Sequence, residues 1–598
     1  MFVWDEDDLN DEQIAAIQQE GNVFLEACPG SGKTRTLTYK IALELSKLTN
    51  EKKWIVAITY TNRAADEIRE RIELLGVNTS QLWVGTIHSF CLEWIIKPYG
   101  IYHDKLKYGF TIINSYDSED LITSICLSLR PQQYITYYQC SHYYTPRGIN
   151  ITGNSGSLAA SVLDAYHQQL DENHQIDFEQ ILYFSYELLS KKVAISRILS
   201  NLFSYIFIDE YQDTKEIQYS IVACIMKDEL DKIKAFIVGD PNQAIYTSLG
   251  GYAISHSELE SLTDAQFTKM SLDKNYRSSR RIIEYYQNYN VSPRETTAEG
   301  KNKNYQSIIT YDQVTHKDDL VEKVSRYIEH NINNYGISEN EICVIAPWWT
   351  HLAALTRNLV HRLPQYSFDG PGLVPFSRDV ENFWYKLTRI ILTEPSPNMY
   401  VKRLRWAFEI LDDLALAMVD VEPFSPKDLL KSINSISIEE EDGLTYLRTF
   451  FYQLFESLDL NFTLYPMLQA HHESFFNSTE DRINRLRKES EEFATNIESF
   501  RRAFKPRSGI KVSTIHGVKG GEYDAVISFG LLEGLVPNFN DISEDRAMKL
   551  LYVIGSRARK NLHLISERGR MQGFSPNQTE RTSTEVLQRV HFSYDDFT

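Results

Sequence analysis

The run Ala27-Cys28-Pro29-Gly30-Ser31-Gly32-Lys33-Thr34 is the part of this 598-residue chain best suited to grip phosphate. Pro29, Gly30, Ser31 and Gly32 form a loop whose successive backbone N–H groups curl around phosphate oxygens. A helix N-terminus just beyond adds partial positive charge. Lys33 reaches β- and γ-phosphates, and the Thr34 hydroxyl is placed to ligate Mg²⁺. The usual pattern opens with Gly, where this chain has Ala27. A second element, Tyr205-Ile206-Phe207-Ile208-Asp209-Glu210, is an apolar run ending in two carboxylates. Asp209 is positioned to hold Mg²⁺ through water and Glu210 to polarise an attacking water, which argues for hydrolysis. Val238-Gly239-Asp240-Pro241-Asn242-Gln243 repeats the arrangement, and Gln243 is a candidate sensor of the γ-phosphate or of that water. The expected ligand is a nucleoside triphosphate with Mg²⁺, and these residues alone do not say which nucleoside.

These side chains need strand ends to carry them. Val23–Ala27, Trp54–Thr59, Tyr205–Ile208 and Lys234–Val238 read as short strands apolar on both faces, with a helix from Leu37 to Lys47. A second α/β set follows at Ser307–Thr310, Ile342–Ile345, Ala525–Ser528 and Leu562–Ile565. The fold class expected is α/β, with two RecA-like doubly wound parallel-sheet domains, each interrupted by a mainly helical insertion. The first domain is expected over 1–97 and 198–279 with its insertion at 98–197. The second is expected over 280–377 and 507–598 with its insertion at 378–506. A Tyr-, Gln- and Ser-rich stretch from Gln132 to Gly156 reads as a long exposed loop.

Composition limits the alternatives. Hydrophobic residues make up 42% and charged residues 24%, which excludes a wholly disordered chain. A balance of 62 basic against 81 acidic residues, −19 net, excludes a generally basic nucleic-acid coater but leaves room for a local basic channel. The six cysteines form no CxxC pair and read as reduced thiols. No apolar run approaches the ~18–20 residues that cross a bilayer. The acidic N-terminus lacks a signal-peptide pattern. The expectation is a cytoplasmic protein with no membrane partner.

In chain order, the motifs resemble those of UvrD/PcrA/Rep-type superfamily 1 DNA helicases along nearly the whole length. Leu9-Asn10-x-x-Gln13 is similar to the motif whose Gln reads adenine, and Arg35 matches the family residue beside the base. Thr59-Tyr60-Thr61-Asn62-Arg63-Ala64-Ala65 and Gly85-Thr86-Ile87-His88-Ser89-Phe90 resemble DNA-facing motifs, which implies contacts from Tyr60, Thr61, Asn62, Thr86 and His88. Leu272-x-x-Asn275-Tyr276-Arg277-Ser278 resembles the motif that stacks its tyrosine on the base and aims its arginine at the γ-phosphate. Thr514 to Tyr523 resembles the motif whose Glu, here Glu522, lies near the ribose and whose Thr and His, here Thr514 and His516, face DNA. Leu551 to Ala558 resembles the motif that supplies a second arginine finger, here Arg557. The resemblance implies ATP as the nucleotide and catalysis by Lys33, Glu210, Gln243, Arg277 and Arg557 in a cleft between two domains. Closure of that cleft would drive 3′→5′ movement on single-stranded DNA or on DNA with a 3′ overhang.

The match also departs from the family. Ser248 and Leu249 stand where a stacking aromatic and an Arg are expected, leaving Tyr60 and Tyr246 as stacking candidates. Gly521 replaces a Leu, and Ser556 a Thr. Tyr134, Tyr137, Tyr138, Tyr143 and Tyr144 either stack bases or belong to an irregular surface loop. Arg482, Arg485, Arg487 and Lys488 either touch duplex phosphates or form a solvated salt-bridged helix. Beside the motor stands a second function: a DNA- or nucleotide-responsive regulatory ATPase that controls a partner nuclease with little unwinding. Compact UvrD-like proteins of antiphage systems, Gabija-like pairs with an OLD-family nuclease, are of this kind. DNA repair, replication restart and phage defence all stay open.

Overall fold

Strands apolar on both faces need cover on both sides, and a parallel sheet flanked by helices supplies it. The computed structural model describes every residue except 1, 6, 131, 153–155, 228–232, 349–351, 372–381, 490–494, 505–508, 539–542, 573–577 and 598. The side chains of 248, 398, 485, 486, 488 and 489 also lie outside the described set. Six strands form a first sheet: β1 (Val23–Ala27), β2 (Trp54–Thr59), β3 (Leu82–Thr86), β4 (Phe203–Ile208), β5 (Lys234–Gly239) and β6 (Thr268–Leu272). They are parallel throughout, in the order β6-β1-β5-β4-β2-β3. A second sheet contains β7 (Ile309–Asp312), β8 (Ile342–Ala346), β9 (Phe368–Asp369), β10 (Ile510–Thr514), β11 (Tyr523–Ser528) and β12 (Ala558–Ile565). It is also parallel, in the order β7-β12-β11-β8-β10-β9. These are the two doubly wound lobes expected from the alternating pattern.

The central strands match the apolar runs closely, because burial on both faces leaves few polar positions in them. The strands absent from the sequence reading are mostly at the rims. β3, β6 and β9 are edge strands, and β10 alternates apolar with polar residues. The helix after β1 starts earlier than its apolar pattern. α1 spans Asp11–Gln18, α2 Lys33–Lys47 and α3 Asn62–Leu74. Asn10 caps α1 and Thr61 caps α3, each accepting a backbone N–H from three residues on.

Helices interrupt both α/β sets. Ser115–Ser128, Gly156–Glu172 and Phe178–Lys191 lie between β3 and β4. Phe383–Ile391, Tyr400–Leu416, Gly443–Ser457 and Pro466–Glu489 lie between β9 and β10, packed around the fully buried Trp384. The Tyr-rich stretch is not a long exposed loop. It contains an antiparallel hairpin, His142–Thr145 with Gly148–Ile151. Tyr144 is buried there and stacks on Tyr183 at 4.6 Å. Tyrosine rings bury their bodies while their hydroxyls find partners, so a polar-looking segment packs. Tyr134 and Tyr138 do stand exposed. The basic run lies on the helix Pro466–Glu489, with the Arg485 and Lys488 side chains outside the described set.

Candidate nucleotide cleft and nucleic-acid face

In open parallel sheets, ligand sites form beyond the carboxyl ends of the strands. Here β1, β4 and β5 end in the phosphate loop, in Asp209-Glu210 and in Asp240. The loop's shape depends on Gly30 (φ +70°) and Gly32 (φ +83°), both in the left-handed region that glycine alone adopts without strain. Space demands glycine as well. A Cβ on Gly30 would lie 2.5 Å from Arg277 Cβ, and one on Gly32 would lie 2.5 Å from Gln13 Nε2. Ser31 Oγ closes the loop by donating to the Cys28 carbonyl at 2.7 Å.

Lys33 Nζ sits 3.1 Å from both Glu210 oxygens. Burial works to lower its pKa, but Glu210, Asp240 and Asp209 outweigh burial and the value is raised. Glu210 occupies the left-handed region (φ +54°), an uncommon setting for a non-glycine residue that turns its carboxylate back over the loop. Burial opposes its charge, yet Lys33 and Lys519 hold it down to about 2. Asp209 is buried, and one of its oxygens accepts the Glu210 N–H at 2.9 Å. Burial and the Glu210 charge push Asp209 up to about 7. Two adjacent carboxylates of opposite tendency share one lysine.

A chain of amides links this pair to the second lobe. Gln212 donates to Glu210 at 2.5 Å and accepts the Asp240 N–H at 2.9 Å. Asp240 in turn accepts from Gln243 Nε2 at 2.7 Å. Gln243 Oε1 receives Arg557 Nη2 at 2.7 Å, from the turn before β12. Arg557 is fully buried and also reaches Ser556 Oγ and the Gly521 carbonyl. Burial and the neighbouring Arg277 pull it down to about 10, still charged at neutral pH. A Cβ at Gly521 meets the Tyr523 ring at 3.0 Å, so a larger residue there would press on that tyrosine.

Arg277 faces the same space. Its Nη2 bonds Glu522 at 2.6 Å and its Nη1 bonds the Ser556 carbonyl at 2.9 Å, while its Nε is buried without a hydrogen-bond partner among the described residues. The neighbouring backbone is fastened to the loop, with Tyr276 N–H donating to Gly30 O at 2.9 Å and Asn275 Nδ2 donating to Pro29 O at 2.6 Å. Sequence reasoning assigned no role to Asn275, Asp213 or Lys519. Lys519 Nζ reaches across the lobes to Asp213 at 2.5 Å and to the Gln243 carbonyl at 2.7 Å. Lys519 stands inside the quoted run Thr514 to Tyr523 and Asn275 inside Leu272 to Ser278, and those positions were the available signal.

Gln13, Arg35 and Tyr276 gather at the outer corner of the loop. Gln13 Nε2 donates to Ser31 O at 2.9 Å and its Oε1 accepts the Asn10 N–H at 3.0 Å. That leaves one N–H and one lone pair of the amide for a base. Tyr276 is half exposed and accepts from Asn10 Nδ2 at 2.8 Å, while Arg35 pairs with Asp8 at 3.0 Å. Thr34 is half-buried on the first turn of α2.

A second face lies over the join of the lobes. The Tyr60 and Tyr246 rings stand 5.0 Å apart at 32°, and His516 lies 5.3 Å beyond Tyr246. Lys519 Nζ is 5.1 Å from the Tyr246 ring, and Tyr246 OH donates to the His516 carbonyl at 3.1 Å. Thr61 and Asn62 are exposed at the start of α3. Thr86 caps the helix that follows it, accepting the Ser89 N–H, and Thr514 accepts the Gly517 N–H. His88 is not at the surface rim. Its Nε2 is buried and without a hydrogen-bond partner among the described residues, and burial lowers its pKa to about 4. It lines a cavity of about 410 Å³ with Tyr60, Tyr143, Glu179 and Lys215. Exposed Leu249 stands at the same cavity, whereas the Ser248 side chain lies outside the described set.

Comparison with known proteins accounts for this pairing of lobes. The model of the UvrD/REP helicase N-terminal domain matches residues 9–254, and that of the UvrD-like helicase C-terminal domain matches residues 467–569. The chain belongs to the UvrD-like helicase family. It is similar to the ATP-dependent DNA helicase PcrA of Staphylococcus aureus (strain Mu50), at 28% identity over 344 residues, 54% of this chain and 46% of that one. PcrA of Staphylococcus epidermidis (strain ATCC 12228) gives 28% over 353 residues, 56% and 47% respectively. The chain thus spans about half the length of the curated relatives it matches. Among the described residues, no helix of this UvrD-like chain is long and apolar enough to cross a membrane.

Proposed function

We propose that this chain is an ATP-driven translocase and helicase that moves 3′→5′ on single-stranded DNA. The observation that carries the reading is the buried link from Glu210 through Gln212, Asp240 and Gln243 to Arg557, which joins the phosphate loop of one lobe to an arginine of the other. The division into two interrupted domains proposed from the sequence gives that link its meaning, since lobe spacing then sets where Arg277 and Arg557 stand.

In this reading the phosphate loop and Lys33 bind the triphosphate, Gln13 and Tyr276 hold the base, and Glu522 lies by the ribose. The oxygen donors of Asp209 and Thr34 suit a hard divalent cation, and the buried Asp209 carboxylate gains from one. Mg²⁺ held there neutralises charge on the phosphates. Glu210 takes the proton of the attacking water, held by Gln212 and Lys33 in a fixed orientation. Arg277 and Arg557 stabilise transition-state charge only when the lobes are close, which makes hydrolysis conditional on closure. Tyr60, Tyr246 and His516 supply stacking surface across the join, so DNA held there favours one lobe spacing.

ATP hydrolysis measured with and without single-stranded DNA, followed by strand separation on duplexes tailed at the 3′ or the 5′ end, tests the proposal. Stimulation by DNA with unwinding from the 3′ tail alone is the expected outcome. Stimulation without unwinding would replace the motor by the regulatory ATPase, and no stimulation would refute the motor.

A further inference from the structure

One polar cluster outside the cleft has no part in the chemistry above. His142 opens the hairpin, His167 lies on the helix Gly156–Glu172, and Asp177 caps the helix Phe178–Lys191. One donor atom from each lies within 4.8 Å of the other two. Three separate elements therefore converge on a single point.

The hydrogen bonds around the cluster leave one ligand atom, His142 Nε2, bare among the described residues. His142 Nδ1 is 3.1 Å from the Cys140 carbonyl, an acceptor only, so the ring proton belongs on Nδ1 and Nε2 carries a lone pair. That Nε2 is buried and has no hydrogen-bond partner among the described residues. A backbone carbonyl orienting a histidine through its far nitrogen is a common support for a metal ligand. The Asp177 carboxylate accepts the Gln180 N–H at 2.8 Å and also bonds the Tyr166 hydroxyl. The carboxylate is buried, and none of the ion pairs among the described residues involves it. His167 Nε2 lies 3.4 Å from the Tyr144 hydroxyl at the edge of the cluster. Burial lowers the His167 pKa to about 4 and raises that of Asp177, and a bound cation would favour the carboxylate.

Two imidazoles and one carboxylate give too few oxygens for Mg²⁺ or Ca²⁺ and suit zinc, with a water as fourth ligand. We propose that His142, His167 and Asp177 bind a zinc ion that fastens the hairpin to the helices behind it. The hairpin presents Tyr143 to the cavity beside Tyr60. A Cβ on Gly250 would meet that ring at 2.9 Å, and Lys215 Nζ lies 5.7 Å from its centre. Zinc would thus hold one wall of that cavity in place. Cys126 and Cys140, with sulfurs 3.9 Å apart, face each other and are not part of the set.

The test uses the full chain, stripped with a chelator and titrated with Zn²⁺ and Co²⁺, with metal content read by elemental analysis. Expected are one zinc per chain, a tetrahedral cobalt spectrum lacking a thiolate charge-transfer band, and a higher unfolding midpoint with metal. His142→Gln and His167→Gln should each weaken zinc binding at least about tenfold, while Cys140→Ser keeps it. No uptake by the wild-type chain would overturn the proposal, as would a thiolate band or unchanged binding in His142→Gln. If the histidine variants fail to fold, the wild-type stoichiometry and cobalt spectrum decide alone.

Discussion

Removing Arg557 separates its effect on rate from its effect on stability. Its guanidinium is fully buried and donates to Gln243 Oε1 at 2.7 Å, Ser556 Oγ at 3.1 Å, and the Gly521 and Val553 carbonyls at 3.3 Å each. Arg557→Ala strands these acceptors at a cost of ~1–3 kcal/mol per unsatisfied group. Water entering from the cleft recovers part of that, so a net loss of about 2–4 kcal/mol is expected, less than the ~5–15 kcal/mol that holds a typical protein folded. The rate is more sensitive. An arginine finger contributes ~10³–10⁵ in turnover, or about 4–7 kcal/mol of transition-state stabilisation at ~1.4 kcal/mol per decade. Arg557→Ala should therefore stay folded and bind nucleotide while phosphate release at saturating ATP and DNA falls by at least about a thousandfold. Arg557→Lys keeps a charge and one donor, so it should recover stability without recovering the fork-shaped contact or the rate. Phosphate release, binding of a fluorescent nucleotide and urea unfolding, each measured on both variants, separate the terms. Hydrolysis by the alanine variant within about tenfold of wild type would refute the assignment of Arg557 to the transition state.

Glu210→Gln should lower turnover by about 10²–10⁴ with nucleotide binding retained, because the amide oxygen still accepts from Lys33; turnover at the wild-type rate would remove Glu210 as the base. Asp209 is raised to about 7 by burial and by Glu210, so its contribution to stability is full in acid and is lost as pH rises through that value. Asp209→Asn should therefore raise the unfolding midpoint at pH 8, with the gain vanishing near about pH 4, and should abolish stabilisation by Mg²⁺. A pH-independent difference would contradict this electrostatic account. Tyr60→Ala and Tyr246→Ala should each weaken single-stranded DNA binding by ~1–3 kcal/mol, about 5–150-fold, in a fluorescence anisotropy titration. Unchanged affinity would take that ring off the strand's path.

The parts of the molecule legible in its sequence are those where one local rule decides the outcome. β1 and β2 are buried on both faces, so their apolar runs leave little ambiguity, and the phosphate loop shows its glycines directly. Edge strands β3 and β6 follow no such rule, because one side of each goes unpaired. The left-handed backbone at Glu210 has no sequence signal, since that conformation is imposed by β4 ending against the loop. The hairpin was hidden because Tyr144 is buried against Tyr183 and beside His167, residues remote in sequence. The same remoteness concealed the convergence of His142, His167 and Asp177.

The distribution of contacts between the parts also bears on how the proposed motor would move. At the periphery, Arg405 on the helix Tyr400–Leu416 reaches Glu73 of α3 at 3.2 Å, and Lys402 reaches Glu70 at 3.5 Å. The two helical insertions meet through Tyr116 with Asp481 at 3.0 Å and Ser474 with Asn114 at 3.3 Å. The Arg405 and Lys402 ion pairs, partly exposed, contribute ~0–1 kcal/mol each and weaken with salt, whereas the Ser474–Asn114 hydrogen bond is buried. The links at the cleft are of a different order, since Lys519 with Asp213, Arg557 with Gln243, and Ser278 with the Ala558 carbonyl are all shielded from solvent. The lobes are thus held firmly at the nucleotide cleft and loosely at the rim. Under the proposed reading, Arg277 and Gln243 each bond the second lobe and also receive the triphosphate. Nucleotide must compete with Glu522 for Arg277, so occupancy of the cleft and spacing of the lobes become one equilibrium.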